Sequence, residues 1–274
     1  MSQREEKLAS GPGWSVTDVV CSSGPHDRPF EEQHGLVCIA AVMQGSFQYR
    51  SSQGAATLVP GAVLLGNHRT CFECGHDHSS GDRCISFMFE PGYFEAIVSS
   101  VPGARSAAFR VPHLPPSTSL TRIFADAAAA RFDGDPMRLE QLGLALAAAA
   151  AGSSDGGVQH RDPPRRDLQR VTRILRRIEI EADTPVSIGE MAQEVAMSPY
   201  HFLRTFRRVV GMTPHQFILR TRLQNAAVQL RRSTQPVLDI ALEAGFADLS
   251  TFNRRFRSIM GMTPTAYRRG DRLV

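Results

Sequence analysis

The chain contains the same short stretch twice near its C-terminus. Residues 206–214 read FRRVVGMTP and residues 256–264 read FRSIMGMTP, so the two stretches lie 50 residues apart and agree at six of nine positions. A unit repeated at this distance restricts the C-terminal third of the chain to a duplicated fold. The residues that precede each copy indicate what the unit is.

Two short helices are predicted in the first copy. Ser187, followed three residues later by Glu190, forms a capping box, which predicts the start of a helix. Ser198 and Pro199 then supply the cap and the first residue of a second helix, which we expect to end at Gly211. Two helices joined by a short turn are the pattern of a helix-turn-helix unit.

The second copy has the same order of signals. Residues 239–241 correspond to residues 190–192 at an offset of 49, whereas Asp248 corresponds to the cap at Ser198 at an offset of 50. The extra residue therefore falls in the turn, which contains Gly245. Because both helices are kept, the insertion is the kind that a duplicated structural unit tolerates.

A rigid helix is predicted to connect the two units. Apolar residues follow helical spacing from Pro214 to about Arg232. The competing interpretation of the whole region is a generic helical bundle that arose by duplication, and the charge distribution argues against it. Residues 165–274 carry 19 Arg and 10 acidic residues, whereas residues 1–164 carry 12 basic and 17 acidic residues. A basic helical domain beside an acidic one is typical of nucleic-acid-binding proteins.

The second helix of each unit is predicted to contact DNA, as a recognition helix does. We expect three apolar positions of each helix to face the core, namely Phe202, Phe206 and Val209 in the first and Phe252, Phe256 and Ile259 in the second. The outward-facing candidates for DNA contact are Tyr200, Leu203, Arg204, Arg207, Arg208, Leu249, Ser250, Asn253, Arg254 and Arg257.

The candidates divide by chemistry into base readers and phosphate contacts. Arg204 and Arg254 stand at equivalent positions and are predicted to read guanine edges, while Asn253 suits adenine. Tyr200 or Leu249 is expected to pack on a thymine methyl group. The predicted phosphate contacts are Arg207, Arg208 and Arg257.

These motifs resemble those of the AraC/XylS family of bacterial transcription regulators. The resemblance covers about Arg165 to Arg269 and is carried by the spacing A-x(5)-S-x(3)-F-x(3)-F-[RK]-x(3)-G-x-[ST]-P and by the stretch ALEAGFADLSTFNRRFRSIMGMTPTAYRR. In that family the two helix-turn-helix units enter adjacent major grooves on one face of the DNA, and the resemblance implies the same here. Leu203 stands where a polar base reader can sit, which predicts weaker sequence readout by the first unit.

The N-terminal part is predicted to be β-structure. From His34 to Phe89, short apolar runs alternate with glycine-containing turns, which is typical of an all-β barrel or sandwich. Its place before such a DNA-binding domain resembles the cupin-like sensor domain of many AraC-type proteins. The predicted fold class is α+β with two domains: an N-terminal cupin-like β-barrel plus helices, and a C-terminal all-α double helix-turn-helix domain.

A cluster of cysteine and histidine residues lies in the same region. Its members are Cys71, Cys74, His76, His78 and Cys84, which together suit tetrahedral zinc or another thiophilic metal. Cys74, His78 and Cys84 converge if the segment is a hairpin, with His76 or Cys71 as the fourth ligand. Two other interpretations stay open: a redox switch between Cys71 and Cys74 or Cys84, and a packed cysteine pair beside two exposed histidines.

Helices and a linker are predicted between the two domains. Residues 117–151 read as two helices that are separated by a break at residues 134–136. We expect the apolar stripes of these helices to pack on the barrel or to form the interface of a homodimer. Residues 152–166 are polar and contain Gly and Pro, which predicts a linker. The expected divisions are residues 1–151 for sensing and dimerisation, 152–166 for the linker and 167–270 for DNA binding.

We therefore expect a sequence-specific transcriptional regulator, not an enzyme, that is controlled by a metal, redox or small-molecule effector. Its expected partners are double-stranded promoter DNA and RNA polymerase, and no membrane. Residues 1–13 lack an apolar core, so no signal peptide is expected, and the bacterial cytoplasm at the nucleoid is the expected location. The alternative function is a DNA-alkylation sensor or repair protein that accepts a methyl group on a zinc-bound cysteine, namely Cys71, Cys74 or Cys84.

Overall fold

Ten β-strands form where apolar runs alternate with glycine-containing turns. The computed structural model of the protein describes residues 3–24, 27, 29–76, 81–104, 106–133, 135–153 and 164–270. Within these ranges the strands are β1 (Gln3–Gly11), β2 (Trp14–Cys21), β3 (Phe30–Gln33), β4 (Val37–Gly45), β5 (Phe47–Ser51), β6 (Gly54–Leu58), β7 (Val63–Gly66), β8 (Cys71–Gly75), β9 (Asp82–Phe89) and β10 (His113–Leu114).

The strands pair into two antiparallel sheets. The first sheet has the order β1-β2-β9-β4-β7-β10 and the second has the order β3-β8-β5-β6. Residues 37–42 of β4 are all buried, as expected for a strand that is covered on both faces. In the second sheet the Tyr49 side chain is fully buried, and its hydroxyl oxygen lies 2.8 Å from His34 Nε2. The predicted two-domain α+β class is confirmed, whereas the cupin-like character of these sheets stays a prediction.

Three helices accompany the strands, namely α1 (Pro91–Ser100), α2 (Thr118–Asp133) and α3 (Pro136–Ser153). The interruption between α2 and α3 lies where the sequence predicts it. Gly143 of α3 faces β9, because a Cβ atom there would lie 3.0 Å from the Phe87 ring. No helix within the described ranges is both long enough and apolar enough to cross a bilayer.

The described residues belong to two compact units. The first unit comprises residues 1–116 with 130–164, and the second comprises residues 117–129 with 165–274. Helix α3 extends to Ser153 and the next helix begins at Arg165, while residues 154–163 lie outside the described ranges. The domain limits proposed from the sequence, with a linker at residues 152–166, stay a prediction.

The C-terminal part of the second unit is helical throughout its described length. Its helices are α4 (Arg165–Glu181), α5 (Ile188–Glu194), α6 (Pro199–Val210), α7 (Pro214–Arg232), α8 (Val237–Glu243), α9 (Leu249–Met260) and α10 (Pro264–Arg269). The pair α5 and α6 is the first helix-turn-helix unit, the pair α8 and α9 is the second, and α7 connects them.

Local capping interactions set the ends of these helices, as the sequence predicts. The Glu190 N–H donates to Ser187 Oγ at 3.1 Å, and the Ser187 N–H donates to Glu190 Oε2 at 3.0 Å. Ser198 and Asp248 accept hydrogen bonds through their side chains at the starts of α6 and α9. Gly211 ends α6 in the left-handed conformation that glycine adopts without strain, with φ 84°.

The two helix-turn-helix units have cores of the same design. In the first, the Phe206 ring lies 5.6 Å from the Phe202 ring and 6.1 Å from the Phe217 ring. In the second, the Phe256 ring lies 5.4 Å from the Phe252 ring and 5.5 Å from the Tyr267 ring. The connecting helix and α10 therefore contribute equivalent aromatic residues, which extends the repeat beyond the stretches that are similar in sequence.

The last core position of each recognition helix differs from the prediction. Val210 and Met260 are fully buried, whereas Val209 and Ile259 are only partly buried. Ile259 still packs against the core of the second unit, so the core stripe extends one residue further than predicted. Positions 202, 206 and 210 continue a step of four residues, and at 100° per residue both three- and four-residue steps stay on one helix face.

Arg222 of α7 links the segment between α4 and α5 to the turn of the second helix-turn-helix unit. Its guanidinium donates to the backbone carbonyl of Ala182, to that of Thr184 at 3.1 Å, and to that of Gly245 at 2.7 Å. Residues 182 and 184 lie before the first unit, and Gly245 lies in the turn of the second. One side chain of the connecting helix therefore holds the segment that precedes α5 next to the turn of the second unit.

Replacing Gly245 with alanine is expected to destabilise the second helix-turn-helix unit. Gly245 has φ +80°, and a Cβ atom there would lie 2.3 Å from the Asp183 carbonyl oxygen. The left-handed conformation alone costs an alanine about 1–2 kcal/mol, and the contact with Asp183 adds to that cost. Thermal unfolding followed by circular dichroism measures the loss.

Gly189→Ala is the matched control for this change. Gly189 lies in α5, where a Cβ atom would meet only Ser187 Oγ at 3.8 Å. Alanine there is expected to leave stability unchanged or to raise it by about 0.4–1 kcal/mol. Equal stability changes in the two variants would contradict a tight turn at Gly245.

Candidate DNA-binding surface and cysteine–histidine cluster

The two recognition helices carry exposed arginines at matching positions. Arg204 and Arg207 of α6 are exposed, and so are Arg254 and Arg257 of α9. Each helix thus presents one guanidinium group near its middle and another about one turn later. Guanidinium groups in this arrangement form forked hydrogen bonds with guanine edges and phosphates.

The residues beside these arginines differ between the two helices. Tyr200 and Leu203 of α6 are 72% and 37% exposed. The corresponding face of α9 presents the exposed polar side chains of Ser250 and Asn253. The first surface therefore offers apolar and aromatic contacts, whereas the second offers hydrogen-bond donors and acceptors.

Leu249 does not face outward as the sequence analysis expected. Its side chain is half-buried and packs against the core that contains Phe252 and Phe256. Residues 249, 252 and 256 follow the three- and four-residue steps of one helix face, so Leu249 extends the apolar stripe to the start of α9. The packing leaves only part of its side chain for the predicted thymine contact.

Arg208 has a partner within the protein. Its Nη2 atom lies 2.6 Å from Asp167 Oδ2 of α4, and the Asp167 side chain is only 14% exposed. A guanidinium group engaged by a carboxylate gives up that hydrogen bond before it binds a phosphate. The predicted phosphate contact is therefore better matched by Arg207 and Arg257, which sit at equivalent positions of α6 and α9.

A surface recess lies between α9 and the start of α10. The side chains of Arg254 and Arg257 reach it from α9, so a predicted base reader and a predicted phosphate contact share one surface. Hydroxyl groups of Ser258, Thr263 and Thr265 also line the recess, together with Asn253 and Pro264. This combination of positive charge and hydroxyl donors suits the phosphate-rich edge of a DNA groove.

Asn253 and Arg254 of this surface lie on α9, a helix with a well-formed N-terminal cap. Asp248 caps α9 by accepting hydrogen bonds from the Thr251 N–H at 2.7 Å and from the Thr251 hydroxyl at 2.9 Å. These hydrogen bonds lower the pKa of Asp248, with a smaller contribution from Arg254. The carboxylate is therefore charged at neutral pH and stabilises the first turn of the helix.

In the N-terminal compact unit, the predicted metal ligands that the structure describes do not come together as one group. Cys71 and Cys74 both lie in β8, three residues apart, and alternation along a strand directs them to opposite faces of the sheet. Cys71 is exposed, with its sulfur 3.9 Å from Gln33 Nε2, whereas Cys84 is buried. His78 lies outside the described residues.

His76 instead meets two residues that the sequence analysis did not select. The Cys21 thiol, the His76 ring and the Asp82 carboxylate each offer a donor atom, and these atoms lie within 4.8 Å of one another. The shortest distance, 2.6 Å, joins His76 Nε2 and Asp82 Oδ1. The second oxygen of Asp82 lies 3.4 Å from Cys84 Sγ.

Hydrogen bonds within this group shift its protonation. Burial lowers the pKa of His76, but hydrogen bonds with Asp82 and Cys21 outweigh burial and raise that pKa to about 9. Burial raises the pKa of Cys21, and hydrogen bonds from His76 and Ser23 reverse this and lower it. Burial raises the pKa of Cys74 and of Cys84, which favours the neutral thiol at both.

The C-terminal part of the chain is similar in sequence to known transcription regulators. The model of a helix-turn-helix domain family, HTH_18, matches residues 191–270. The regulatory protein SoxS of Salmonella typhimurium is 34% identical over 100 residues, which are 36% of this chain and 94% of SoxS. The transcriptional activator AarP of Providencia stuartii is 34% identical over 101 residues, which are 37% of this chain and 75% of AarP.

The chain belongs to the AraC/XylS family of transcriptional regulators. Among solved structures, the DNA-binding domain of AdpA in complex with a target DNA is 25% identical, with a TM-score of 0.36. That alignment covers 37% of this chain and 91% of the AdpA domain. The sequence relatives named above match little more than a third of this AraC/XylS regulator, so the activity of the whole protein is a matter for proposal.

Sequence reasoning missed three residues of this AraC/XylS regulator. Arg222 lies in the predicted connecting helix but was not selected, although it links the segment before α5 to the turn of the second helix-turn-helix unit. Asp82 lies between His78 and Cys84, inside the stretch that holds the cysteine–histidine cluster, and it was missed because only cysteine and histidine were considered as ligands. Cys21 is 61 residues before Asp82, and only the pairing of β2 with β9 brings these two residues together.

Proposed function

We propose that this protein reads an asymmetric site in double-stranded promoter DNA with α6 and α9, under the control of its N-terminal unit. The observation that carries the proposal is the pair of exposed arginines, Arg204 and Arg254, at equivalent positions of two capped recognition helices. Family membership supports DNA binding, and the unlike neighbours of the two arginines support unlike half-sites.

The chemistry of each helix suggests the kind of base that it reads. Around Arg204, the exposed Tyr200 and Leu203 suit the methyl group of thymine. Around Arg254, Asn253 suits adenine, and the Ser250 hydroxyl suits either a donor or an acceptor group on a base edge. The second helix therefore supplies more hydrogen-bonded readout, and the first supplies more apolar contact.

The connecting helix supports simultaneous binding of both units. Helix α7 has 19 residues, and at 1.5 Å per residue it spans roughly 28 Å. Successive major grooves on one face of B-DNA lie about 34 Å apart, which is a comparable distance. Because Arg222 fixes the turn of the second unit, the two recognition helices are expected to enter the grooves at one spacing.

Control by the N-terminal unit is the second part of the proposal. An acidic β-sheet unit joined to a basic DNA-binding unit suits a protein in which an effector alters DNA binding without contacting the DNA. The effector is proposed to be a small molecule or a metal ion, with RNA polymerase as the partner at the promoter and a homodimer as the working form. Action at the nucleoid of the cytoplasm follows from the same proposal.

Methyl transfer from alkylated DNA to a cysteine is the alternative function. Of the three cysteines considered for it, Cys74 and Cys84 have raised pKa values, and Cys71 lies apart from the group of Cys21, His76 and Asp82. A neutral thiol is a weak nucleophile, so methyl transfer to Cys74 or Cys84 would require a bound metal that deprotonates the thiol. Incubation with methylated DNA followed by mass spectrometry of the intact chain separates the two, since a regulator gains no methyl group.

Selection of binding sites from random DNA by the full chain tests the proposal. The expected motif is asymmetric, with two unlike elements about one helical turn, or 10–10.5 base pairs, apart. A matched selection with an Arg204→Ala variant is expected to lose sequence preference in one element and to keep it in the other. Two identical elements one helical turn apart within the site of a single chain, or no motif at all, would contradict the proposed reading by unlike helices.

A further inference from the structure

Three potential metal ligands meet at the end of the N-terminal sheets. Cys21 ends β2 and pairs in register with Asp82, which begins β9. His76 directly follows β8, which belongs to the other sheet. The group therefore lies at the ends of β2, β8 and β9 and connects the two sheets there.

The distances within the group fit the first coordination sphere of a small divalent ion. Zinc bonds of about 2.0–2.3 Å to nitrogen, oxygen and sulfur place neighbouring ligand atoms of a tetrahedron roughly 3.3–3.8 Å apart. The donor atoms of Cys21, His76 and Asp82 already lie within 4.8 Å of one another. On binding, the 2.6 Å His76–Asp82 distance has to lengthen by about 1 Å, and a separation at the 4.8 Å limit has to shorten by about 1 Å.

The surroundings of the group also favour a metal. The side chains of His76 and Asp82 are only 3% and 8% exposed, so neither is a solvated surface group. Buried polar groups of this kind are retained in proteins when they are paired or coordinate metals. Cys84 Sγ, 3.4 Å from the second Asp82 oxygen, is a further sulfur atom next to the group.

The geometry points to a divalent metal site formed by Cys21, His76 and Asp82, with zinc as the occupant. One sulfur, one nitrogen and one oxygen donor suit zinc and exclude magnesium and calcium, which prefer oxygen ligands alone. The site differs from the set expected from the sequence, of which only His76 belongs to it. It concerns the N-terminal unit alone and does not depend on the proposed DNA contacts.

Bound zinc is expected to stabilise the N-terminal compact unit by linking its two sheets. A ligand that binds only the folded state raises the unfolding temperature as its concentration rises above the dissociation constant. The wild-type chain is therefore expected to unfold at a higher temperature with zinc than after treatment with a chelator. This shift is expected to disappear in Cys21→Ser and in His76→Gln.

Metal analysis and cobalt titration of the full chain test the site directly. The chain is purified under reducing conditions without chelators, and we expect one zinc ion per chain. Cobalt is expected to give the near-ultraviolet absorption of a thiolate–cobalt bond. Cys21→Ser is expected to lose that absorption, whereas the matched control Cys71→Ser, which changes an exposed thiol outside the group, is expected to keep it.

Each other outcome has a definite meaning. Absence of zinc from the wild-type chain, together with no cobalt absorption on titration, would overturn the site. So would metal that is retained in Cys21→Ser but lost in Cys71→Ser, because the ligands would then be the cluster expected from the sequence. Far-ultraviolet circular dichroism identifies a variant that fails to fold, and His76→Gln then provides the second, independent measurement.

Discussion

Phe256→Ala is expected to cost about 3–5 kcal/mol of unfolding free energy. Phe256 is fully buried in the second helix-turn-helix unit, with its ring packed against Phe252 and Tyr267. Truncation to alanine removes this apolar contact and leaves a cavity between α9 and α10. Because a chain of two units need not unfold in one transition, amide hydrogen exchange is the suitable measurement.

The exchange pattern also tests whether the two repeats are separate cores. Faster exchange is expected for the backbone amides of α8 to α10 in Phe256→Ala. Phe206→Ala, at the equivalent position, is the matched control and is expected to accelerate exchange in α5 and α6. If either variant loosened both units equally, the interpretation of two cores joined by α7 would fail.

Arg254→Ala is expected to weaken binding to the specific DNA site by about 1–3 kcal/mol and to relax the preference at one base pair. Arg254 lies in the exposed middle of α9, beside Asn253, and lines the recess at α10. Arg257→Ala is expected to weaken specific and random DNA alike and to flatten the dependence of affinity on salt. Fluorescence anisotropy at several salt concentrations, on both kinds of DNA, measures the difference.

Arg255→Ala is the control for the loss of one positive charge. Arg255 is exposed on the same helix, but it does not line the recess that holds Arg254 and Arg257. A small effect on both kinds of DNA is expected. If all three variants lost the same affinity on specific and random DNA, the distinction between a base reader and a phosphate contact would be wrong.

The helical unit was largely predictable because its signals are local. A serine or aspartate cap, a proline at the first helical position and a terminal glycine each act within a few residues, so Ser198, Asp248 and Gly211 mark their helix ends in the sequence itself. Leu249 was predicted to face outward, although it stands one three-residue step before Phe252 on the core-facing side of α9. In the structure it packs against the core of the second helix-turn-helix unit.

Features that depend on distant contacts were not predictable. The spacing of Cys71 and Cys74 resembles a metal motif, but in a strand it separates the two thiols. Cys21 meets Asp82 only through the pairing of β2 with β9, whose register is set by the whole sheet and not by local sequence. His76 reaches the same place from the end of β8 in the other sheet. Arg222 likewise binds carbonyl groups 23 to 40 residues away, and backbone carbonyls leave no trace in residue identity.

Under the proposed reading of DNA by α6 and α9, the connection made by Arg222 restricts the spacing of the two elements in a binding site. Once one recognition helix is seated, the other is held at a high effective concentration, but only for DNA in which the second element lies at the matching distance and angle. One inserted base pair turns the second element by about 34° around the DNA axis, because B-DNA repeats every 10–10.5 base pairs. Binding sites in a genome are therefore free to drift in base sequence, one modest loss at a time, while their spacer length is held constant.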